Sequence, residues 1–376
     1  MPASFDAAHV CEQLGIPASL PREDVFSRYC AARDPGVNAH RAFDAGWYLW
    51  QNPHAARASS PFEHYLATDP AASIDPAPWI DTTLLKRQLD HEPGPGGVLD
   101  IALRPGWRAE HGVTAGSADL CRVQRSFLNQ VAVSVIRPPL APSARRQNLV
   151  WVQHGPESNF LKWFQPEEAR SWDLAMNWYT GEPDPSVGDI ILHQRGTKFS
   201  GIFSAARRLP GFFDGYDSIL FVDDDLTFAH GDIDRLLEIA NRETLDLFQA
   251  SVEANSYCVW PALFHQGGTN IRETTSVEIM APGFSGPALR AFLPSFSLSI
   301  SGFGLDLLVG QQVRARGGRC AVVDTVQMSH HAAIDQSGGA YYEYLRSHGI
   351  NSKYELWQLI QRFELGLEIS EIGQGK

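Results

Sequence analysis

The 376 residues, 44% hydrophobic and 20% charged, supply enough chain for two or three domains around a large buried core, which excludes wholesale disorder, a fibrous repeat and a disulfide-stapled miniprotein. A net charge of −12 argues against a mainly electrostatic grip on nucleic acid or anionic lipid, because such surfaces need clustered Lys and Arg. Cys11, Cys30, Cys121, Cys258 and Cys320 lie far apart without a C-x-x-C pair, which predicts reduced thiols and a cytoplasmic protein.

The N-terminal residues MPASFDAAHVCEQLGIPASLP show neither a basic nor an apolar export region, and no run approaches the ~18–20 apolar residues that span a bilayer. The first ~140 residues are rich in Ala, Pro and aromatics, and are interrupted by EPGPGG at 92–97, so they read as a module of their own over 1–140. Within it FDAGWYLWQNPH (43–54), SPFEHYL (60–66) and DPAPWIDTTLL (75–85) predict short amphipathic helices. Phe43-Asp44 recurs as Ile80-Asp81, a repeat whose second copy breaks off early. These residues resemble the F-D-x-x-x-Y-L…N-P…P-x-x-H-Y-L repeats found beside glycosyltransferase domains in bacterial surface-polysaccharide proteins.

After the Pro-rich junction PPLAPS (138–143) the signals alternate as in an α/β domain. Strands are predicted at NLVWVQ (148–153), DLAMNWY (173–179), DIILH (189–193), YDSILFV (216–222), DLFQAS (246–251), TSVEIMAP (275–282) and CAVVD (320–324). Helices are predicted at GTKFSGIFSAARRL (196–209), DIDRLLEIANRE (232–243), GPALRAFL (286–293) and LDLLVGQQVRARG (305–317). Over 336–376 a helical extension is expected, with Leu356, Ile360, Phe363 and Leu367 on one face. That face packs on the domain, or else forms a homodimer contact or an acceptor-side lid.

The sharpest feature is Asp223-Asp224-Asp225 at the end of the apolar run 216–222. Open α/β sheets bind ligands at the carboxyl ends of their strands. Two carboxylates ~5 Å apart repel by about 3 kcal/mol at an effective dielectric near 20, and a divalent cation removes that cost. Hard oxygen ligands suit Mg²⁺ or Mn²⁺. A solvated turn or a helix cap is the alternative reading of such a triplet.

The triplet resembles the D-x-D signature of nucleotide-sugar glycosyltransferases with the GT-A fold. YDSILFVDDDL (216–226), VEIMAPGFS (277–285), GFGLDLLVGQ (302–311) and VVDTVQMSH (322–330) also resemble, in order and spacing, a largely uncharacterised family of glycosyltransferase-like proteins common in plants. That family reads Y-D-Y-I-F-L-W-D-E-D-L, V-E-M-M-A-P-x-F-S, W-G-L-D and V-V-D…H, and the likeness covers residues 147–335. It implies a GT-A-like α/β domain with a mixed sheet flanked by helices, a nucleotide-diphosphate sugar donor, and a carbohydrate or related hydroxyl acceptor. Neither nucleic acid nor a membrane span is among the implied partners. With the N-terminal repeat's resemblance and the scattered cysteines, the expected setting is surface-polysaccharide synthesis, in the cytoplasm or peripheral to the inner membrane.

Carried over by position, Asp223, Asp225 and His330 are the expected metal ligands, with the neighbouring His331 as the alternative to His330. An imidazole ligand favours Mn²⁺ over Mg²⁺. Asp306 is the expected base or nucleophile, the alternative being a helix N-cap, and Glu278 is the second carboxylate. Phe303 stands where the family has tryptophan. Lys198, in a T-K-F that resembles the family's T-K-W, and Arg195 are expected to face the donor phosphates; Asp224, Gln153 and His154 complete the expected donor contacts. A binding scaffold of the same fold without turnover, holding carbohydrate or nucleotide, is the second reading. A metal-dependent phosphoryl hydrolase is the third.

Overall fold

The computed structural model describes every residue except 115, 156–157, 167–168, 332–338 and 374–376. The described chain divides into two compact units. One takes residues 1–123 and 339–354, and the other takes 124–331 and 355–373. The stretch 336–376 is thus shared between them, and residues 124–139 belong to the second unit.

The first unit is built of short helices, several of them started by a side-chain cap. Asp44 accepts from the Trp47 N–H at 2.9 Å and starts Ala45–Gln51, and Asp81 accepts from Leu84 N–H at 2.8 Å and starts Thr82–Lys86. The residue before each cap, Phe43 or Ile80, is fully buried, so the sequence repeat is one device used twice: an apolar anchor followed by a cap. The helix expected over 75–85 is confined to Thr82–Lys86, because Pro76 and Pro78 have no N–H to give a helix. The Phe43, Phe62 and Tyr65 rings meet at 5.2 to 5.6 Å, and the Tyr48 hydroxyl meets His64 Nδ1 at 2.9 Å. The residues that resemble the bacterial repeat therefore form an aromatic core.

The second unit is α/β, a mixed sheet flanked by helices, as the sequence predicts. Its described strands are β1 (Val133–Arg137), β2 (Asn148–His154), β3 (Trp172–Trp178), β4 (Ile190–Gln194), β5 (Ser218–Val222), β6 (Leu226–Phe228), β7 (Leu247–Val252), β8 (Ile271–Glu273), β9 (Gly283–Ser285) and β10 (Cys320–His330). They are ordered β1-β4-β3-β2-β5-β9-β7-β10-β6, with β8 also on β10. Strands β4, β3, β2 and β5 run parallel, while β9 runs antiparallel between β5 and β7. Strands β2 and β5 are buried along their whole length, which is why they read as unbroken apolar runs.

One strand expectation fails. Residues 275–282 form no strand, and pairing resumes only at β9. Pro282 cannot donate to a ladder. The Met280 and Pro282 carbonyls accept from Asp223 and Phe221 N–H at 3.1 and 3.0 Å, while the Glu278 N–H is taken by the Gln249 side chain at 2.7 Å. At the C-terminal end the helix Ser352–Phe363 buries Leu359 and Ile360; Leu356 and Phe363 are half-buried, and Leu367 lies beyond the helix and is exposed. Among the described residues, no helix is long and apolar enough to cross a membrane. None of the five cysteines forms a disulfide.

Candidate functional site

Burial of β5 in the centre of the sheet delivers Asp223, Asp224 and Asp225 to its carboxyl end, where each acid meets a different partner. Asp223 pairs with Lys198 Nζ at 2.6 Å, Asp224 accepts from the Tyr179 hydroxyl at 2.6 Å, and Asp225 meets His330 Nε2 at 3.0 Å. The backbone is held as well: Asn159 donates its N–H to the Asp224 carbonyl at 2.6 Å and its side-chain amide to the Asp225 carbonyl at 3.1 Å.

Lys198 opens the helix Lys198–Arg208 and is buried, with Thr197 in the cap position. Its ammonium is fully engaged: besides Asp223 it donates to the Ile279 carbonyl, and to the Met280 carbonyl at 3.1 Å. Arg195, at the end of β4, is exposed. His330 closes β10 and is buried, whereas His331 is exposed.

Glu278 and Asp306 join the same cluster. Glu278 accepts from the Cys258 thiol at 2.9 Å, and Asp306 accepts from the Trp260 indole N–H at 3.2 Å and from Leu307 N–H at 2.9 Å. Gly304, with φ at 80°, is the N-cap of Leu305–Ala315, so Asp306 sits inside the first turn rather than capping it.

The electrostatics follow from burial and partner. Burial pushes the Asp223 carboxyl up to about 6, against the pull of Lys198 and with the Asp225 charge adding to the rise. Burial raises Asp306 to about 6, opposed by the Leu307 and Trp260 donors. Glu278 is raised to about 7, first by burial, opposed by its thiol partner, and then by the nearby Asp306 charge. At His330 burial favours the neutral ring, but the Asp225 bond and charge win and hold it up at about 9. Asp225 is correspondingly lowered, His330 outweighing its burial.

Of the expected metal trio, the structure brings two together. Among the described residues no three His, Cys, Asp or Glu side chains are grouped to hold a metal ion, because Asp223 turns to Lys198 while Asp225 and His330 face each other. The carboxylate and the imidazole are a fitting donor pair for a divalent ion that takes its other ligands from phosphate and water.

The expected donor residues on the first strand are buried. Gln153 Oε1 accepts from the Trp151 indole at 3.1 Å and the Asn177 amide at 2.5 Å. His154 packs edge-on against Trp178 at 4.2 Å, with its Nδ1 buried and unbonded, and burial lowers its pKa. Gly155 follows: a Cβ there would lie 2.3 Å from the Tyr179 hydroxyl, so only glycine lets Tyr179 reach Asp224.

Sequence reasoning missed Tyr179, Asn159 and the loop Ser256–Trp260. That loop touches three of the expected residues. Ser256 Oγ accepts from the His330 N–H at 3.0 Å, the Tyr257 carbonyl meets His330 Nδ1 at 2.9 Å, Cys258 reaches Glu278, and Trp260 reaches Asp306. The one available signal was composition, a Tyr, a Cys and a Trp within five residues, and it carries no spacing rule.

No family model matches the chain, and no curated protein matches it. Solved structures similar to it include GalNAc-T7, determined with UDP, GalNAc and Mn²⁺, at 8% identity over 59% of this chain and 57% of that one, with a TM-score of 0.38. A197 from STIV is similar at 16% identity over 50% of this chain and 87% of that one, with a TM-score of 0.32. The chain spans little more than half the length of GalNAc-T7. Likeness at this level leaves the chemistry of the site to this chain's own residues.

Proposed function

We propose that the chain is a metal-dependent glycosyltransferase of GT-A-like fold that moves a sugar from a nucleotide-diphosphate donor to a carbohydrate or related hydroxyl acceptor. The observation that carries this reading is the meeting of Asp225 at the end of β5 with His330 at the end of β10, beside two further carboxylates whose burial favours a proton. Asp225 and His330 would hold the divalent ion, Mn²⁺ by the preference of imidazole, and the donor's phosphate oxygens would complete its shell. Bound there, the ion supplies the charge that stabilises a leaving diphosphate.

The protein's own groups do the rest. Asp306, or Glu278 beside it, takes the proton of the acceptor hydroxyl or attacks the sugar. A carboxylate raised to about 6 or 7 is poised for proton transfer near neutral pH. Arg195, exposed at the end of β4, would face the phosphates; Lys198 would act through the Asp223 carboxylate it holds, and Asp224, Gln153 and His154 would contribute to the donor pocket. Surface-polysaccharide synthesis on the cytoplasmic side is the setting we assign.

A panel of nucleotide sugars assayed with Mn²⁺ for nucleotide release, with calorimetry on the matching nucleoside diphosphate, tests this. The expected result is release from one donor, ion-dependent binding, and a loss of roughly 100-fold in affinity in Asp225→Asn. Equal affinity in chelator and in Mn²⁺ would sink the metal assignment. Ion-dependent binding without release from any donor would favour the second reading, a binding scaffold; its supporting observation is the Lys198–Asp223 pair, which neutralises the outer acid within the protein itself.

A further inference from the structure

The aspartate of Val322-Val323-Asp324 takes no part in the cluster at the ends of β5 and β10. It is 2% exposed and pairs with Arg272 of β8, itself 7% exposed. Arg272 is saturated. Its Nε donates to Asp324 Oδ2 at 2.7 Å, its Nη2 to Asp324 Oδ1 at 3.0 Å and to the Phe264 carbonyl at 2.8 Å, and its Nη1 to the Ala262 carbonyl at 2.6 Å and to Glu371 Oε1 at 2.7 Å. These bonds use every N–H of the guanidinium. Asp324 Oδ1 also accepts from the Gln266 N–H at 3.2 Å.

Ala262, Phe264 and Gln266 alternate along the segment that follows Trp260. Leu263, between the two clamped carbonyls, is fully buried, and its N–H, like that of Phe264, bonds within the segment, to Trp260 and Pro261. Before Trp260 the chain is tied to β10: the Glu253 N–H donates to the Met328 carbonyl at 3.0 Å and the Tyr257 N–H to the His330 carbonyl at 2.8 Å. The loop is thus held on both limbs, one by the end of β10 and the other by Arg272 and Asp324. Between those holds lie Tyr257, Cys258 and Trp260, which contact His330, Glu278 and Asp306. A lysine at 272 would offer three donors from a single point and could not serve two carboxylates and two carbonyls in different directions.

We propose that Arg272 is a positioning residue for the candidate site: with Asp324 and Glu371 it clamps residues 262–266 and so fixes the loop that sets Glu278, Asp306 and His330. The clamp itself needs no substrate; what the positioned groups do rests on the transferase reading.

Iodoacetamide labelling of the full chain, quantified for each cysteine by mass spectrometry, reads the loop directly. Cys258 is half-buried against Glu278, and burial, then the Glu278 charge, hold its thiol above the usual range and slow to react. In Arg272→Lys, which keeps the charge and loses the fork, labelling of Cys258 should rise about tenfold or more while the buried Cys11 and Cys320 stay as slow as in the unaltered chain. A general loss of stability would instead speed all three together. Nucleotide release, read on the same samples, should fall about tenfold or more. Glu371 is exposed, so Glu371→Ala decides the matter should Arg272→Lys fail to fold, with a rise of about threefold expected at Cys258. Cys258 labelling unchanged in the deciding variant, rising only together with Cys11 and Cys320, or rising with full nucleotide release retained would each overturn the proposal. An unaltered chain that releases no nucleotide, with Cys258 labelling as expected in the variants, would support the clamp and overturn the transferase reading.

Discussion

Acidic residues serve different ends in the two units. In the first, Asp75 and Asp81 each have a cation and a main-chain donor: Lys353 and the Thr82 N–H for one, Arg346 and the Leu84 N–H for the other. In the second, Asp223 and Asp225 have a partner cation in Lys198 and His330, while Asp224, Glu278 and Asp306 are met by a hydroxyl, a thiol and an indole. Acids with matched partners are satisfied within the fold, whereas a surplus of half-buried carboxylate raises its own pKa values, an arrangement that clusters at functional sites. The contrast sets the matched pairs of the first unit apart from the proposed site of the second by this chain's own residues.

The strongest way to break this contrast is to make the same change of charge on each side. Asp306→Asn should lower turnover by roughly 10²–10⁴-fold while leaving donor affinity within a few fold, because its proposed work lies in proton transfer or attack. Asp44→Ala, a cap in the first unit, should leave turnover unchanged and cost about 1 kcal/mol of stability. Steady-state rates and melting curves on both variants check the pair; near wild-type turnover in Asp306→Asn would pass the role to Glu278.

A buried carboxylate can also be architectural within the second unit, and Glu355 sharpens the comparison. It is fully buried and accepts from Gln124 Nε2, Ile300 N–H and Ser301 N–H, each at 2.8 Å. Glu355→Ala strands those donors and should cost about 3–5 kcal/mol, read by denaturant unfolding. A loss below 1 kcal/mol would show that water replaces the carboxylate.

The smallest effect expected is on pH dependence. Glu278 and Asp306 are raised to about 7 and about 6 in the fold, above their unfolded values, so the folded state binds their protons more tightly. Their stabilising contribution is complete below about pH 4 and is lost as pH rises through 6 and 7. Melting temperature should therefore fall between pH 5 and pH 8, and the double variant Glu278→Gln/Asp306→Asn should flatten that slope. An unchanged slope in the double variant would place the titration elsewhere.

Much of this was legible in the sequence because it is local. Buried parallel strands write themselves as apolar runs, and Asp223, Asp224 and Asp225 announce a strand end. His330 was legible by resemblance, 105 residues from its partner. What failed to show was pairing between distant segments. Nothing around Lys198 foretells that three acceptors consume its ammonium, and nothing around Cys258 or Trp260 points to Glu278 or Asp306. The misread 275–282 has the apolar content of a strand, but its partners are a glutamine side chain and the amides of Phe221 and Asp223, a register that composition does not encode.

The loop Ser256–Trp260 has a consequence for how the site can fail. It grips the histidine through the Ser256 hydroxyl and the Tyr257 carbonyl, one carboxyl through a thiol and the other through an indole, all within five residues. Readiness of the site is then a single coordinate: a displacement of this one segment loosens three groups at once. Under the proposed function, damage to this one loop should disturb the histidine and both carboxyls together rather than one by one.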